Sequence, residues 1–183
     1  SDLVKYFKLP DTHEHHQHFA KVELTPVDWM DVSTWTFRLD EEIKPLWWED
    51  VAIRVESAMR AKAERMILRT GEHELIVDGC WIIGGDAKVR DIRSGRIMRV
   101  QDTAALQDVW GSATVRDVRD SATVRGVGGS ATVINVWGSA TVRGVGGSAT
   151  VINVWDSATV SNVWGSAIVR DVRDSATVRG VGG

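Results

Sequence analysis

The sequence predicts a mainly β protein: a parallel β-solenoid of nonapeptide repeats, two per coil, capped by a small N-terminal α/β domain. Three observations carry that expectation. From Val109 the unit V-[WRG]-[GD]-S-A-[TI]-V-[RIS]-[DGN] restarts at Val118, Val127, Val136, Val145, Val154, Val163, Val172 and Val181, a fixed step of nine. Short fixed periods mean stacked supersecondary units rather than an ordinary globular core. Within each unit, small or β-branched apolar residues alternate with Ser and Thr, and no run is long enough for a helix. Finally, residues 126–137 recur as 144–155, and residues 109–129 recur almost unchanged as 163–183. Both offsets, eighteen and fifty-four, are multiples of eighteen, which favours two nonapeptides per coil. A coil of three, which would put Trp110, Trp137 and Trp164 in register, is the alternative.

The nine positions have distinct chemistry. Ser-Ala-Thr-Val-Arg reads as a short strand with Ala and Val inward. Gly, Asp and Asn at the third and ninth positions read as turns, because they tolerate positive φ or bond their own backbone. The Val at the first position, isolated between those turns, is then a third inward residue.

In chain order, residues 1–18 form a polar, His-rich segment ending in Thr12-His13-Glu14-His15-His16-Gln17-His18. Neutral imidazole is a common metal ligand, so His13, His15, His16 and His18 with Glu14 are a candidate metal site. The spacing does not fit the helical His-Glu-x-x-His motif, and a solvated segment is the simpler reading. Residues 19–74 read as a small α/β head. Residues 20–24 and 34–39 alternate as strands, with Trp35, Phe37 and Leu39 on one buried face. The Asp40-Glu41-Glu42 cluster reads as a solvated connector. Pro45 opens an amphipathic helix over about residues 45–70, with Val51, Val55, Ala58, Met59 and Met66 as its apolar stripe and Gly71 as its C-cap. The solenoid then occupies residues 75–183, with degenerate repeats over 75–108 and regular ones over 109–183. Residues 92–99 are a copy short by one. The head would cover the first coil's edge, which would otherwise invite pairing. No such cap is written at the C-terminal end, which leaves an exposed edge or a homodimer formed there.

Composition bounds the function. Residues 1–74 carry a net charge of −5 and residues 75–183 a net of +2, so neither module is basic enough to predict nucleic-acid binding from its field alone. The single Cys80 excludes an intramolecular disulfide and reads as a structural thiol. No signal peptide and no long apolar run appears, so a cytoplasmic setting without a membrane partner is expected. The glycine clusters at residues 126–129 and 144–147 lack the Lys-Ser/Thr of a phosphate loop and read as turns. The nine-residue period resembles the calcium β-roll of RTX toxins, but the Gly-Gly-x-Gly-x-Asp signature is absent, and no cofactor is expected. No catalytic constellation stands out.

What remains is surface. Ser and Thr flank the inward Ala in every unit, and such S-x-T ranks are similar to the arrays of ice-binding solenoids. Arg116, Arg125, Arg143, Arg170 and Arg179 at the eighth position and Trp110, Trp137, Trp155 and Trp164 at the second are more informative, because both types concentrate binding energy. Trp47 and Trp48 in the head join them as candidate contacts, with at least one of the two expected in the core. Asp117, Asp120, Asp156, Asp171 and Asp174 interrupt the positive field, which favours a protein partner; nucleic acid on an Arg-rich side is the less favoured alternative.

Runs of V-[WG]-[GD]-S-A-T-V after a small Trp-rich head resemble repeat proteins of bacteriophages and bacterial mobile elements. More distantly, the architecture is similar to pentapeptide-repeat solenoids, some of which inhibit DNA gyrase. The resemblance implies a non-enzymatic, stoichiometric binder or inhibitor of a host nucleic-acid enzyme or defence nuclease. A metal-dependent activity at the His cluster and ice binding through the S-x-T ladders are the alternatives.

Overall fold

The computed structural model describes residues 20–42 and 44–182. The chain divides into two compact units, Ser1–Glu64 and Arg65–Gly183. In the first, β1 (Val22–Thr25) pairs antiparallel with β2 (Thr36–Leu39). The connection is pinned by its own side chains: Asp31 caps a 3-10 turn over Val32–Thr34, and the Trp35 indole donates to the Asp28 carbonyl at 2.6 Å. Helix α1 (Trp48–Glu64) begins with Glu49 and Asp50 at the positive end of its dipole. Trp48 is buried and stacks on Phe37 at 6.0 Å, while Arg60 donates to the carbonyls of Val32 and Trp35. The acidic connector serves the hairpin: Asp40 pairs with the Lys21 ammonium, and Glu41 accepts from the Lys21 backbone N–H at 2.7 Å.

The second unit is a parallel β-solenoid of two seven-stranded sheets. The odd sheet holds β3 (Ile67–Leu68), β5 (Cys80–Ile83), β7 (Arg96–Val100), β9 (Thr114–Val118), β11 (Thr132–Val136), β13 (Thr150–Val154) and β15 (Ile168–Val172). The even sheet holds β4 (Glu72–Ile76), β6 (Lys88–Ile92), β8 (Ala105–Val109), β10 (Thr123–Val127), β12 (Thr141–Val145), β14 (Thr159–Val163) and β16 (Thr177–Val181). Thr123 aligns with Thr141 and Thr132 with Thr150, a step of eighteen, so a coil is two nonapeptides and the Trp110/Trp137/Trp164 alignment of a longer coil does not occur. Six inter-strand steps of about 4.8 Å make a rod of about 29 Å.

The strand phase differs from the sequence expectation. Each strand runs from the sixth position through the Val that opens the next unit, and Ser-Ala belongs to the turn. That turn closes with a bond from the Ala N–H to the second-position carbonyl, as in Ala122 to Arg119 at 3.1 Å, with positive φ at the third position, as in Gly111 (66°) and Asp120 (57°). The ninth position is not a turn but a bend inside the strand. Asn135, Asn153, Asn162 and Asp171 take φ of 56–61° there, and Gly144 and Gly180 take 70° and 64°. A regular strand would send residues three apart to opposite faces. At Asn135 the left-handed residue stands between Val133 and Val136, which both point inward and are fully buried; in β8, β9 and β10 the corresponding pairs are equally buried without a positive φ between them. With Ala131 the half-coil has three inward side chains, a pattern that from Ala113 onward builds a column of Val and Ala, after Ile and Leu in the earlier coils.

The solenoid also begins earlier than the sequence indicates. Helix α1 stops at Glu64, because the backbone beyond it bonds to the next coil: Ile82 N–H donates to the Met66 carbonyl at 2.8 Å and Gly84 N–H to Leu68 at 2.9 Å. Met66 therefore lies outside the helix, Gly71 (φ 86°) turns the chain between β3 and β4 rather than capping a helix, and Ala58 is exposed. The early coils are shorter. The register step is fifteen at Ile67–Ile82, sixteen at Glu72–Lys88, seventeen at Lys88–Ala105, and eighteen from Arg96–Thr114 onward.

Two substitutions test this geometry by denaturant unfolding. Val133→Ala removes two buried methyl groups and is expected to destabilise by about 2 kcal/mol or more. Asn135→Val forces a β-branched residue into left-handed backbone and should cost about 1–3 kcal/mol more than Asn135→Gly, which keeps the bend.

Candidate functional site

Two strands per coil sort the candidate contact residues onto two opposite sides. Trp137 follows β11 and Trp155 follows β13, so both stand at the edge that leaves the odd sheet, beside Arg116 and Arg170 on β9 and β15. Trp110 follows β8 and Trp164 follows β14, at the edge that leaves the even sheet, with Arg125, Arg143 and Arg179 on β10, β12 and β16. The single Trp and Arg rows read from the sequence are thus two separate sets.

The odd side is mixed in character. Ile134 and Ile152 replace Arg at the eighth position and pair in register on the outer face of adjoining strands. Trp137 and Trp155 close the same two coils, both half-buried, and the Arg119 guanidinium lies 4.5 Å from the Trp137 ring centroid. Beside them runs a ladder of amides: Asn153 Nδ2 donates to Asn135 Oδ1 and Asn135 Nδ2 to Asp117 Oδ1, each at 2.9 Å. At the turns, carboxylates accept from the backbone one coil earlier, as Asp156 does from Gly138 N–H at 3.0 Å and Asp102 from Gly85 N–H at 2.8 Å. These interactions hold the aspartates in structural roles. The sequence signal for the isoleucines was present in the two Val-Ile-Asn-Val-Trp runs, but without an assigned face it had no meaning.

The even side is different. Beyond residue 110 it carries Arg125, Arg143 and Arg179 and no acidic residue, because Asp117, Asp120, Asp156, Asp171 and Asp174 all fall on the odd strands or the turns that follow them. Trp110 and Trp164 are 48% and 51% exposed, and each lies directly on glycine backbone. A Cβ at Gly128 would stand 2.6 Å from Trp110 Cζ3, and one at Gly146 would stand 2.3 Å from Trp164 Nε1. The two indoles border a shallow groove of about 390 Å³ that includes Gln107, Asp108 and Arg125.

The remaining candidates separate plainly. Trp48 is core, in the N-terminal unit, and Trp47 packs edge-on against it at 6.5 Å, half-buried. His13, His15, His16 and His18 lie outside the described residues. Among the described residues no group of three or more His, Cys, Asp and Glu side chains converges, and no helix is long and apolar enough to cross a membrane. Burial pushes the Cys80 thiol up, against the opposing pull of Arg96, which disfavours the reactive thiolate. The S-x-T ranks turn a corner: Ser sits in the exposed turn and Thr on the strand, and Ile168 interrupts the odd Thr rank.

The glycine floor makes a direct prediction. Gly128→Ala is expected to lift the Trp110 indole, seen as increased acrylamide quenching of tryptophan fluorescence with an unchanged circular-dichroism spectrum. The same change in a Trp110→Ala background should leave the quenching where it was.

Comparisons with protein-family models, with curated proteins and with solved structures found no match.

Proposed function

We propose that this chain is a binding protein whose odd solenoid side engages a protein partner, and that the partner is a nucleic-acid enzyme held in a stoichiometric, inhibitory complex. The observation that carries the reading is the apolar centre formed by Ile134 and Ile152 with Trp137 and Trp155 in adjoining coils. Around it stand Arg116, Arg119, Asp120, Arg170 and Asp171, charges of both signs. An apolar centre with Trp and Arg inside a charged rim is the composition of a specific protein interface. A β-branched residue facing outward on a solvated strand is unremarkable singly, but two in register between Arg116 and Arg170 on the flanking strands form a patch. The solenoid supports such a patch rigidly, because each coil is hydrogen-bonded to both neighbours through strands and turns alike. The choice of a nucleic-acid enzyme follows from the resemblance of the repeats to those of mobile-element proteins.

The test uses the full chain and an Ile134→Arg/Ile152→Arg variant as baits in bacterial lysate, with each captured protein then purified and assayed. The expected outcome is one nuclease or topoisomerase that the parent captures and inhibits at equimolar ratio, with affinity lowered about thirtyfold or more in the variant. A partner held equally by both baits would move the interface off this side, and capture without inhibition would remove the inhibitory role.

A further inference from the structure

Beyond residue 110 the even side differs from the odd side in carrying arginines without any acidic residue and in the glycine backbone beneath its tryptophans. Arg125 and Arg143 occupy the same position on adjoining strands, one inter-strand step of about 4.8 Å apart. Arg179 lies two strands further, next to Ser161, which aligns with both Arg143 and Arg179. None of these three guanidiniums has an ion-pair or hydrogen-bond partner among the described residues, whereas Arg93, Arg99 and Arg119 are paired with aspartates. Thr123, Thr141 and Thr159 form an aligned hydroxyl rank beside them. At the strand ends, Trp110 reaches toward the C-terminus over Gly128 and Trp164 reaches back over Gly146, so two indoles converge across a floor of bare backbone. Each ring is held from beneath and keeps about half of its surface open to solvent. The Asp108 carboxylate, also in this groove, is the one acid there.

Unpaired cations in a row, flanked by supported aromatic faces on an open surface, are the two components of single-strand binding: phosphates meet the charges and bases stack on the rings. A duplex would present its charges but keep its base faces hidden, leaving the indoles unused. An acidic peptide would use the arginines and has no planar group that the two indole faces require.

We propose that the even side binds single-stranded nucleic acid with little sequence preference, with bases stacked on Trp110 and Trp164 and phosphates on Arg125, Arg143 and Arg179. This site is separate from the protein interface proposed for the odd side, so either can fail without the other.

The experiment is fluorescence anisotropy of the full chain with a fluorescein-labelled oligothymidylate of about a dozen nucleotides, over a range of salt concentrations. Binding at low salt is expected, with log K falling against log salt at a slope of about −2, the value for three phosphate contacts. Trp110→Ala/Trp164→Ala, checked for folding by circular dichroism, should weaken binding about tenfold or more. Arg143→Glu should weaken it and flatten the slope, while Ile134→Arg/Ile152→Arg should bind no more weakly than the parent. The proposal is overturned if the oligonucleotide does not bind at low salt, or if the folded tryptophan variant binds as well as the parent. It is equally overturned if an oligo-aspartate peptide or a duplex of equal length competes as strongly as unlabelled oligothymidylate, since the site then recognises charge alone.

Discussion

Val133 and Val136 stand three residues apart on one strand, yet both are sealed from solvent. The inward placement of both is the constraint on which the solenoid depends: it is met through left-handed backbone at Asn135 and at each ninth position after it, and without positive φ at Asp108, Asp117 and Gly126, where Leu106/Val109, Val115/Val118 and Val124/Val127 are equally buried. Each regular strand thus contributes two inward apolar residues, and the Ala of the preceding turn contributes a third group small enough to fit between the sheets. From Asn135 to Gly180, where the ninth position is left-handed, its cost is low because the position is filled by Gly, Asn or Asp each time. Where Asn occupies it on the odd side, the amides also bond to one another from coil to coil, so the bent residue becomes part of the ladder that holds the stack together.

Much of this was legible before any coordinates. The nine-residue step, the inward Val and Ala, and the eighteen-residue coil all follow from regularities that survive in the sequence itself. The bend at the ninth position was misread as a turn, because Gly, Asn and Asp are chosen at both kinds of site for the same backbone reason. The start of the solenoid was misplaced for another reason. The first coils are fifteen to seventeen residues long, so β3 and β4 carry no repeat signature, and Met66 happens to continue the apolar stripe of α1. The separation of charge between the two sides was written in the sequence but hidden by reading all repeats as equivalent. Every Arg-Asp pair after residue 110 falls in an odd strand or the turn after it, and every Arg-Gly pair in an even strand.

Two surfaces therefore share one core. The odd side joins outward isoleucines and half-buried tryptophans to charges of both signs, and its Asn and Asp side chains hold the coils together. Beyond residue 110 the even side carries three arginines with no partner among the described residues, and its tryptophans lie on glycine. Because the column between the sheets is Val and Ala from Ala113 onward, neither surface there is constrained by what the other requires. A substitution at an eighth position alters one face and leaves the packing beneath it unchanged.

The half-coil repeat also gives the gene a parity. Gain or loss of two nonapeptides lengthens or shortens the rod and leaves each downstream residue on its own side, as the fifty-four-residue recurrence that carries Trp110 to Trp164 does. Gain or loss of one nonapeptide preserves every inward Val and Ala, yet transfers all that follows to the opposite side. A single slip of one unit would thus keep the inward pattern and exchange the two sides beyond the point of the slip.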